Sequence, residues 1–393
     1  MKASQPHSGR AGRFDHRRVG TELVKTFLPA PLPPKPPLDV SNLLRPLERA
    51  NQALGRLDGV TSILPDPSLL IYMYVRKEAL LSSQIEGTQS SLSELLEFEA
   101  AESPGAPLQD VGEVSNYAAA MDHGLSRLQG GFPLCLRLLC EIHAVLLRAG
   151  RGQEKNPGEF RSSQNWIGGS QPGNAAFVPP PPDQVVDCMG QLETFIHDID
   201  DGLPTLIRAG LAHVQFESIH PFLDGNGRLG RLLITLMLCE QGMLQSPMLY
   251  LSLFLKKQRS SYYGLLQTVR ERGNWEEWLE FFLDGVTETS NQAAETARKL
   301  IGLFDTDRKK IEALGRPASS ALRVHQHLQQ RPLLTIPQAV RLLGLSQPTV
   351  GKSVQHLVSL GIVRETSGRQ RGRSFVYDAY LRLLDEGTEP LTN

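Results

Sequence analysis

His220-Pro221-Phe222-Leu223-Asp224-Gly225-Asn226-Gly227-Arg228-Leu229-Gly230-Arg231 is the stretch on which the reading of the whole chain turns. It packs an imidazole, a carboxylate, a Gly-Asn-Gly turn and two guanidiniums together, and an apolar, helix-like run, Leu232 to Leu238, follows at once. A turn opening into a helix presents backbone N–H groups and the positive end of the helix dipole, a ready site for phosphate. Glycines on both sides of Asn226 admit φ > 0 and let the backbone approach a ligand closely. Arg228 and Arg231 are three apart and project from the same side of the first helical turns. Imidazole exchanges protons near neutral pH, which suits His220 to act as a base. Asp224 offers hard oxygen of the kind Mg²⁺ takes together with phosphates. Base, metal ligand, anion nest and charge clamps together fit attack of a hydroxyl on a nucleotide phosphate.

Other readings of this stretch fail on context. A Walker A loop needs Gly-x-x-x-x-Gly-Lys, which is absent. Gly225 to Gly230 spells G-x-G-x-x-G, but it follows a helical pattern where the dinucleotide fingerprint needs a strand. His213 and His220 lie two helical turns apart without a third ligand to complete a zinc site.

Outward from the loop the chain is mostly helical by apolar spacing. Helices are expected near 40–57, 67–87, 90–99, 112–129, 134–148, 183–198, 203–217, 232–242, 251–271, 275–286 and 288–313. The second ends at Ser82-Ser83-Gln84-Ile85-Glu86-Gly87, with glycine as a C-terminal cap. Ser82 and Glu86, four apart, share a face. Residues 151–182 are rich in Gly, Asn, Ser and Pro and carry two β-like pieces, Glu159 to Ile167 and Ala175 to Val178, which predict a hairpin or flap. Residues 1–20 are polar and read as a disordered tail. Residues 27–37 are too proline-rich for helix and read as an extended arm.

Beyond Gly315-Arg316-Pro317 the pattern changes. Helices at 319–329, 335–343 and 347–360, then strands at 362–366 and 374–377 around a basic turn, predict a winged helix-turn-helix. From Arg316 to Asp378 eight arginines and one lysine face one glutamate and one aspartate, whereas the whole 393-residue chain has a net charge of −1. That local surplus suits phosphate contacts by Arg369, Arg371 and Arg373, with Gln347, Thr349 and Lys352 opening a recognition helix. The same surface suits docking to a protein or to a second copy of the chain. The four cysteines, Cys135, Cys140, Cys188 and Cys239, lack C-x-x-C spacing and read as reduced core thiols. The longest apolar run, 229–244, is broken by Arg231 and Glu240, and the basic first twenty residues lack an apolar signal core. A soluble, cytoplasmic protein without a membrane partner is the expectation.

His220 through Arg231 resembles the signature of the Fic (Fic/DOC) family, H-P-F-x-[DE]-G-N-G-R-x-x-R, at every defined position. The resemblance runs from about Val24 to Val286 and takes in Trp275-Glu276-Glu277-Trp278. It implies a mainly α fold: a Fic-type helical bundle with a β-hairpin flap, followed by the small winged helix (α+β) domain. The domain division expected is 1–20 tail, 21–110 N-terminal arm and helical region with an inhibitory helix, 111–300 catalytic core, and 301–393 linker helix and winged helix. The family's activity would be transfer of AMP from ATP to a Ser, Thr or Tyr hydroxyl of a target protein, self-adenylylation included, with release of pyrophosphate.

Carried over by residue, His220 would be the base. Asp224 would hold Mg²⁺ (or Mn²⁺), and Gly225, Asn226 and Gly227 would form the anion hole. Arg228 would face the β-phosphate and Arg231 the γ-phosphate. Phe222 would anchor the loop. The flap, with Phe160, Arg161, Trp166, Ile167 and Gly168, would pair with an extended target segment. Tyr262 and Tyr263 would border the adenine. Ser82 to Gly87 resembles the family's inhibitory motif [ST]-x-x-x-E-[GN], in which Glu86 would take Arg231 from the γ-phosphate. Two alternatives stay open: a DNA-binding regulator whose Fic-like domain senses nucleotide, and an enzyme that removes AMP.

Overall fold

Helical periodicity accounts for most of the chain in the computed structural model, which describes residues 9–19, 22–62, 68–100, 109–198, 202–366 and 373–390. In order these form strands β1 (Gly12–Val19) and β2 (Glu22–Pro29), then helices α1 (Leu44–Ser62), α2 (Ser68–Ile85), α3 (Leu92–Ala100), α4 (Gln109–Gln129) and α5 (Leu136–Leu146). Next come α6 (Pro182–His197), α7 (Thr205–Ile219), α8 (Asn226–Glu240), α9 (Ser252–Lys257), α10 (Arg259–Arg272) and α11 (Trp275–Glu312). The C-terminal elements are α12 (Ala318–Gln330), β3 (Leu333–Thr335), α13 (Ile336–Leu343), α14 (Gln347–Ser359), β4 (Arg364–Glu365), β5 (Ser374–Val376) and α15 (Asp378–Asp385). Among the described residues no helix is long and apolar enough to cross a membrane.

The chain divides into two compact units, Met1–Gly55 with Asn116–Gln245 and Phe254–Glu288, and Arg56–Ser115 with Ser246–Leu253 and Thr289–Asn393. This differs from the sequential division expected from sequence. The boundaries placed at 110 and 300 fall inside α4 and α11. The two helices expected at 275–286 and 288–313 form the single helix α11.

In the first unit the core is α7 and α8. Both are buried on nearly every side, Leu206 to Ile219 in α7 and all but a few residues of α8. A helix apolar all round belongs inside. Two polar groups on α7 are matched across the core: Gln215 donates to the Ala30 carbonyl at 2.8 Å, and the Gly210 carbonyl accepts from the Trp278 indole at 2.9 Å. Of the expected tail at 1–20, residues 1–8 and 20 lie outside the described residues, and Gly12–Val19 is not a tail, since β1 pairs antiparallel with β2 from Gly12↔Pro29 to Val19↔Glu22. Polarity suggested disorder because β1 exposes much of its length, while Phe27 supplies the buried side of the hairpin. Arg10, buried, forks onto both Glu276 oxygens at 2.8 Å and also donates to the Pro36 and Pro37 carbonyls. That contact fastens the proline-rich arm. The expected flap hairpin reduces to one bridge, Ile167↔Phe177, with a short 3₁₀ turn at Pro172–Asn174. The glycines and prolines of 168–173 leave too few residues to extend a ladder.

In the second unit α12, α13 and α14 precede and flank a three-stranded antiparallel sheet in the order β3-β5-β4. The three helices and the strands β4 and β5 follow in the order expected from sequence, while β3, between α12 and α13, was not expected. Thr335 and Gln338 form a capping box at the start of α13, Gly344 ends it in the left-handed region, and Ser346 caps α14. Phe304, His325, Tyr377 and Tyr380 pack as an aromatic cluster, with the Tyr377 hydroxyl donating to Asp307 at 2.7 Å. All four cysteines are unbridged, and burial pushes the Cys140 and Cys188 thiols up to about 11.

Candidate functional site

Pro221 dictates where α7 stops. Proline disfavours helical backbone in the residue before it, and His220 turns into the left-handed region at φ 49°, ψ 60°. For a residue with a Cβ this costs on the order of 1 kcal/mol or more. Several contacts hold the turn. The His220 carbonyl accepts from Arg161 Nε at 2.9 Å and from Asn165 Nδ2 at 3.1 Å, and the Pro221 carbonyl accepts from the Arg161 N–H at 2.9 Å. Arg161, expected as a flap residue, is thus a buried staple behind the loop. Burial pushes its guanidinium down to about 10, still charged at neutral pH. The other flap residues are placed differently: Trp166 and Gly168 are exposed, and Phe160 and Ile167 are half-buried.

Phe222 is completely buried. Its ring stacks on His143 with centroids 3.8 Å apart and leans on Phe160 at 5.2 Å, burial worth about 1.5–3 kcal/mol. Asn226 closes the loop on itself, accepting from the Phe222 N–H at 2.9 Å and donating to the Phe222 carbonyl at 2.8 Å. Its side chain therefore shapes the loop, and its contribution to an anion nest is its backbone N–H. Gly225 stands at φ 75° immediately before α8, and the first helical bond runs from Leu229 to the Gly225 carbonyl at 3.0 Å. The amides of Asn226, Gly227 and Arg228 thus lie in the turn whose N–H groups have no partner within the helix.

His143 was not anticipated. The Gly158 N–H donates to its Nδ1 at 2.8 Å, so Nε2 carries the proton and donates to the Asp224 carbonyl at 3.0 Å. Burial, with Arg228 nearby, pushes His143 down to about 4 and keeps it neutral. A histidine in an apolar helix carries no sequence signal for this task. Asp224 Oδ1 accepts from the Gly225 N–H at 2.6 Å and lies 3.5 Å from Arg228 Nη2. A Cβ on Gly152 would come within 3.0 Å of Asp224 Oδ2, so glycine there leaves that oxygen uncovered. Mg²⁺ takes one or two carboxylates plus phosphate and water oxygens, and this single carboxylate fits that demand. Among the described residues no group of three or more His, Cys, Asp or Glu side chains converges on a metal position.

Arg228 and Arg231 are both buried, at 1% and 3% exposure. Charge held there acts on an anion through less screening than at the surface. Glu217, also buried, brings Oε2 to 3.9 Å from His220 Nδ1. Gly230 makes room for it, since a Cβ there would lie 2.6 Å from Glu217 Oε1. His213 is not a metal ligand in waiting: its Nδ1 meets the Gly230 carbonyl at 2.9 Å and its Nε2 the Tyr262 hydroxyl at 2.8 Å. Burial pushes it down to about 4. Tyr262 is fully buried in that contact, whereas Tyr263 is exposed. A groove of about 290 Å³ opens beside the flap, lined among others by Phe14, Leu23, Lys25, Gly173 and Phe177.

In the second unit Ser82 is fully buried at the end of α2, Glu86 is half-buried and Gly87 exposed. On α14 Gln347 and Lys352 are exposed and Thr349 is half-buried against Ser346. Arg373 lies 3.5 Å from Glu365. Arg369 and Arg371 lie outside the described residues.

The helical core thus carries an imidazole, a carboxylate, helix-start amides and two buried arginines on one short stretch. Residues 44–126 match the model of the Fic/DOC family N-terminal region and residues 133–238 that of the Fic/DOC family. Through these residues the chain belongs to the Fic/DOC family. It is 29% identical over 186 residues to the protein adenylyltransferase Fic of Drosophila willistoni, covering 47% of this chain and 34% of that protein. Against the protein of the same name from Drosophila persimilis it is 29% identical over 252 residues, 62% of this chain and 46% of that one. The chain thus spans less than half the length of these curated relatives. Among solved structures, a Fic family protein from Desulfovibrio desulfuricans G20 has the same fold, with a TM-score of 0.57 at 20% identity over 87% of this chain and 97% of that one.

Proposed function

We propose that the chain is a protein adenylyltransferase that transfers AMP from ATP to a hydroxyl of a target protein, held off by Glu86. The observation that carries this reading is the loop itself. One turn, fixed by Phe222, Asn226, His143 and Arg161, sets His220, Asp224, the first amides of α8, Arg228 and Arg231 on a single short stretch.

His220 takes the proton from the incoming hydroxyl as its oxygen bonds to the α-phosphorus and the bond to pyrophosphate breaks. Glu217, 3.9 Å from His220 Nδ1, stabilises the imidazolium that forms. The amides of Asn226 and Gly227 and the two guanidiniums take the phosphate charge, which is positioning and electrostatic stabilisation more than covalent chemistry. Asp224 would hold Mg²⁺ through the oxygen that Gly152 leaves uncovered; bound there, the ion neutralises phosphate charge. The groove beside the flap receives an extended target segment, and of the two tyrosines only Tyr263 has an exposed side chain to offer the adenine. Glu86, by pairing with Arg231, displaces the γ-phosphate and leaves ATP misaligned.

Self-labelling with α-³²P-ATP tests this in three proteins: wild type, Glu86→Gly, and Glu86→Gly with His220→Ala. Removing a competing charge-assisted contact of ~1.5–3 kcal/mol raises labelling roughly 10–100-fold in the second. Loss of the base returns it to background in the third. Equal labelling of the first two contradicts the inhibitory role, and label surviving in the third removes His220 as the base.

A further inference from the structure

Helix α2, which ends one residue before Glu86, is held at its start, middle and end by the C-terminal part of the chain. At its start the Leu69 carbonyl accepts from the Tyr380 hydroxyl at 3.2 Å. At its middle Lys77, wholly buried, donates to the Glu386 carbonyl at 2.9 Å. At its end Gln84 Nε2 donates to the Thr388 carbonyl at 2.8 Å and to the Ser90 carbonyl at 3.1 Å. The turn that supplies these carbonyls is itself fixed. Thr388 is buried and its N–H and hydroxyl both donate to the Asp385 carbonyl, at 3.0 and 2.9 Å. A Cβ on Gly387 would clash with Leu253 at 2.7 Å, so the backbone lies directly on that side chain.

The last turn of a helix frays unless its groups find partners. Gln84 supplies such a tie two residues before Glu86. Lys77 holds its charge buried, and the Glu386 carbonyl is one of the groups that solvate it there. Both side chains therefore reward one placement of the end of α2, and both depend on residues 386–388.

We infer that residues 386–388 are a latch that sets the end of α2, which makes the C-terminal unit a working part of the inhibition. This rests on the reading of Glu86 as the inhibitory group. The latch acts on Glu86 and on nothing in the loop. A partner that drew the C-terminal segment away from α2 would relieve inhibition without touching the nucleotide site.

The test uses self-labelling of the full chain carrying Gln84→Ala, and of a chain truncated after Asp385, each in the wild-type and Glu86→Gly backgrounds. Losing one or two kcal/mol of hold on the inhibitory conformation raises labelling roughly 5–30-fold in the wild-type background. It raises it less than about 2-fold with Glu86→Gly, because independent routes add and a shared route does not. Should the truncated chain fail to melt cooperatively, Gln84→Ala, which removes one side chain, decides alone. Strong labelling by Glu86→Gly with wild-type levels in both latch variants overturns the latch and leaves Glu86 standing. A rise of equal size in both backgrounds also overturns it, since the effect then bypasses Glu86. If Glu86→Gly itself labels no more than wild type, the inhibitory reading fails and the latch falls with it.

Discussion

The loop from His220 to Arg231 and the end of α2 from Ser82 to Gly87 carry short motifs of opposite character. The loop closes largely on itself, with Arg161, Asn165 and His143 bracing it from outside the motif. Asn226 clips Phe222, Asp224 caps Gly225, and Phe222 plugs the core, all within the motif itself. The end of α2 is tied to Ser90 nearby and to Thr388, about three hundred residues away in sequence, and the same helix is tied farther back to Glu386 and Tyr380. Chemistry that must hold atoms to fractions of an ångström favours local closure. A brake must be releasable, and a hold supplied by distant residues can be released by events elsewhere in the chain.

The loop's side of this comparison breaks most visibly at Asp224. Asp224→Asn keeps the shape but removes the charge, and with it several kcal/mol of phosphate neutralisation. Self-labelling in the Glu86→Gly background should fall on the order of 10²–10³-fold. A loss under about 5-fold contradicts a metal-holding role. Next in size is His143→Leu, which loses both the ring under Phe222 and the hydrogen bond to the Asp224 carbonyl. Outer partners of metal ligands are worth roughly 10–100-fold. The expected result is a loss in that range together with a higher Mg²⁺ requirement, read from labelling against Mg²⁺ concentration. An unchanged requirement makes His143 a packing residue only.

A smaller effect asks whether the two regions differ in acid. His143 and His213 in the loop's unit, and His325 in the other, are each pushed down to about 4 by burial. Their folded values lie below the unfolded value of about 6.5, so the unfolded chain takes up protons first as pH falls. The stability these neutral histidines confer is complete above about pH 6.5 and is lost on the way down to about 4. Melting followed by circular dichroism should drop by at least several degrees between pH 7 and 4.5. His325→Gln should flatten part of that drop without altering labelling of the Glu86→Gly protein at pH 7.5. A melting temperature insensitive to pH in this window contradicts the neutral, buried assignment of these rings.

Legibility from sequence followed the same divide. The loop could be read because its partners are its own neighbours: a proline ending one helix, glycines at the turn, and an amide and a phenyl ring that close it. The helices of the core were readable from apolar spacing for the same local reason. His143, Glu217 and Gly152 could not be read, because each matters through a residue distant in sequence or through space left empty. β1 was missed because its polar, exposed residues resemble a tail, and only the apolar partner strand reveals it. The grip of residues 386–388 on α2 has no sequence signature, since it uses backbone carbonyls that every residue possesses.

Mass spectrometry of the intact Glu86→Gly protein after incubation with ATP and Mg²⁺ tests the central claim most directly. The account predicts one or more AMP adducts on Glu86→Gly, few on wild type, and none once His220 is also replaced by Ala. Equal modification of wild type and Glu86→Gly, an adduct other than AMP, or an AMP adduct that survives the loss of His220 would contradict it.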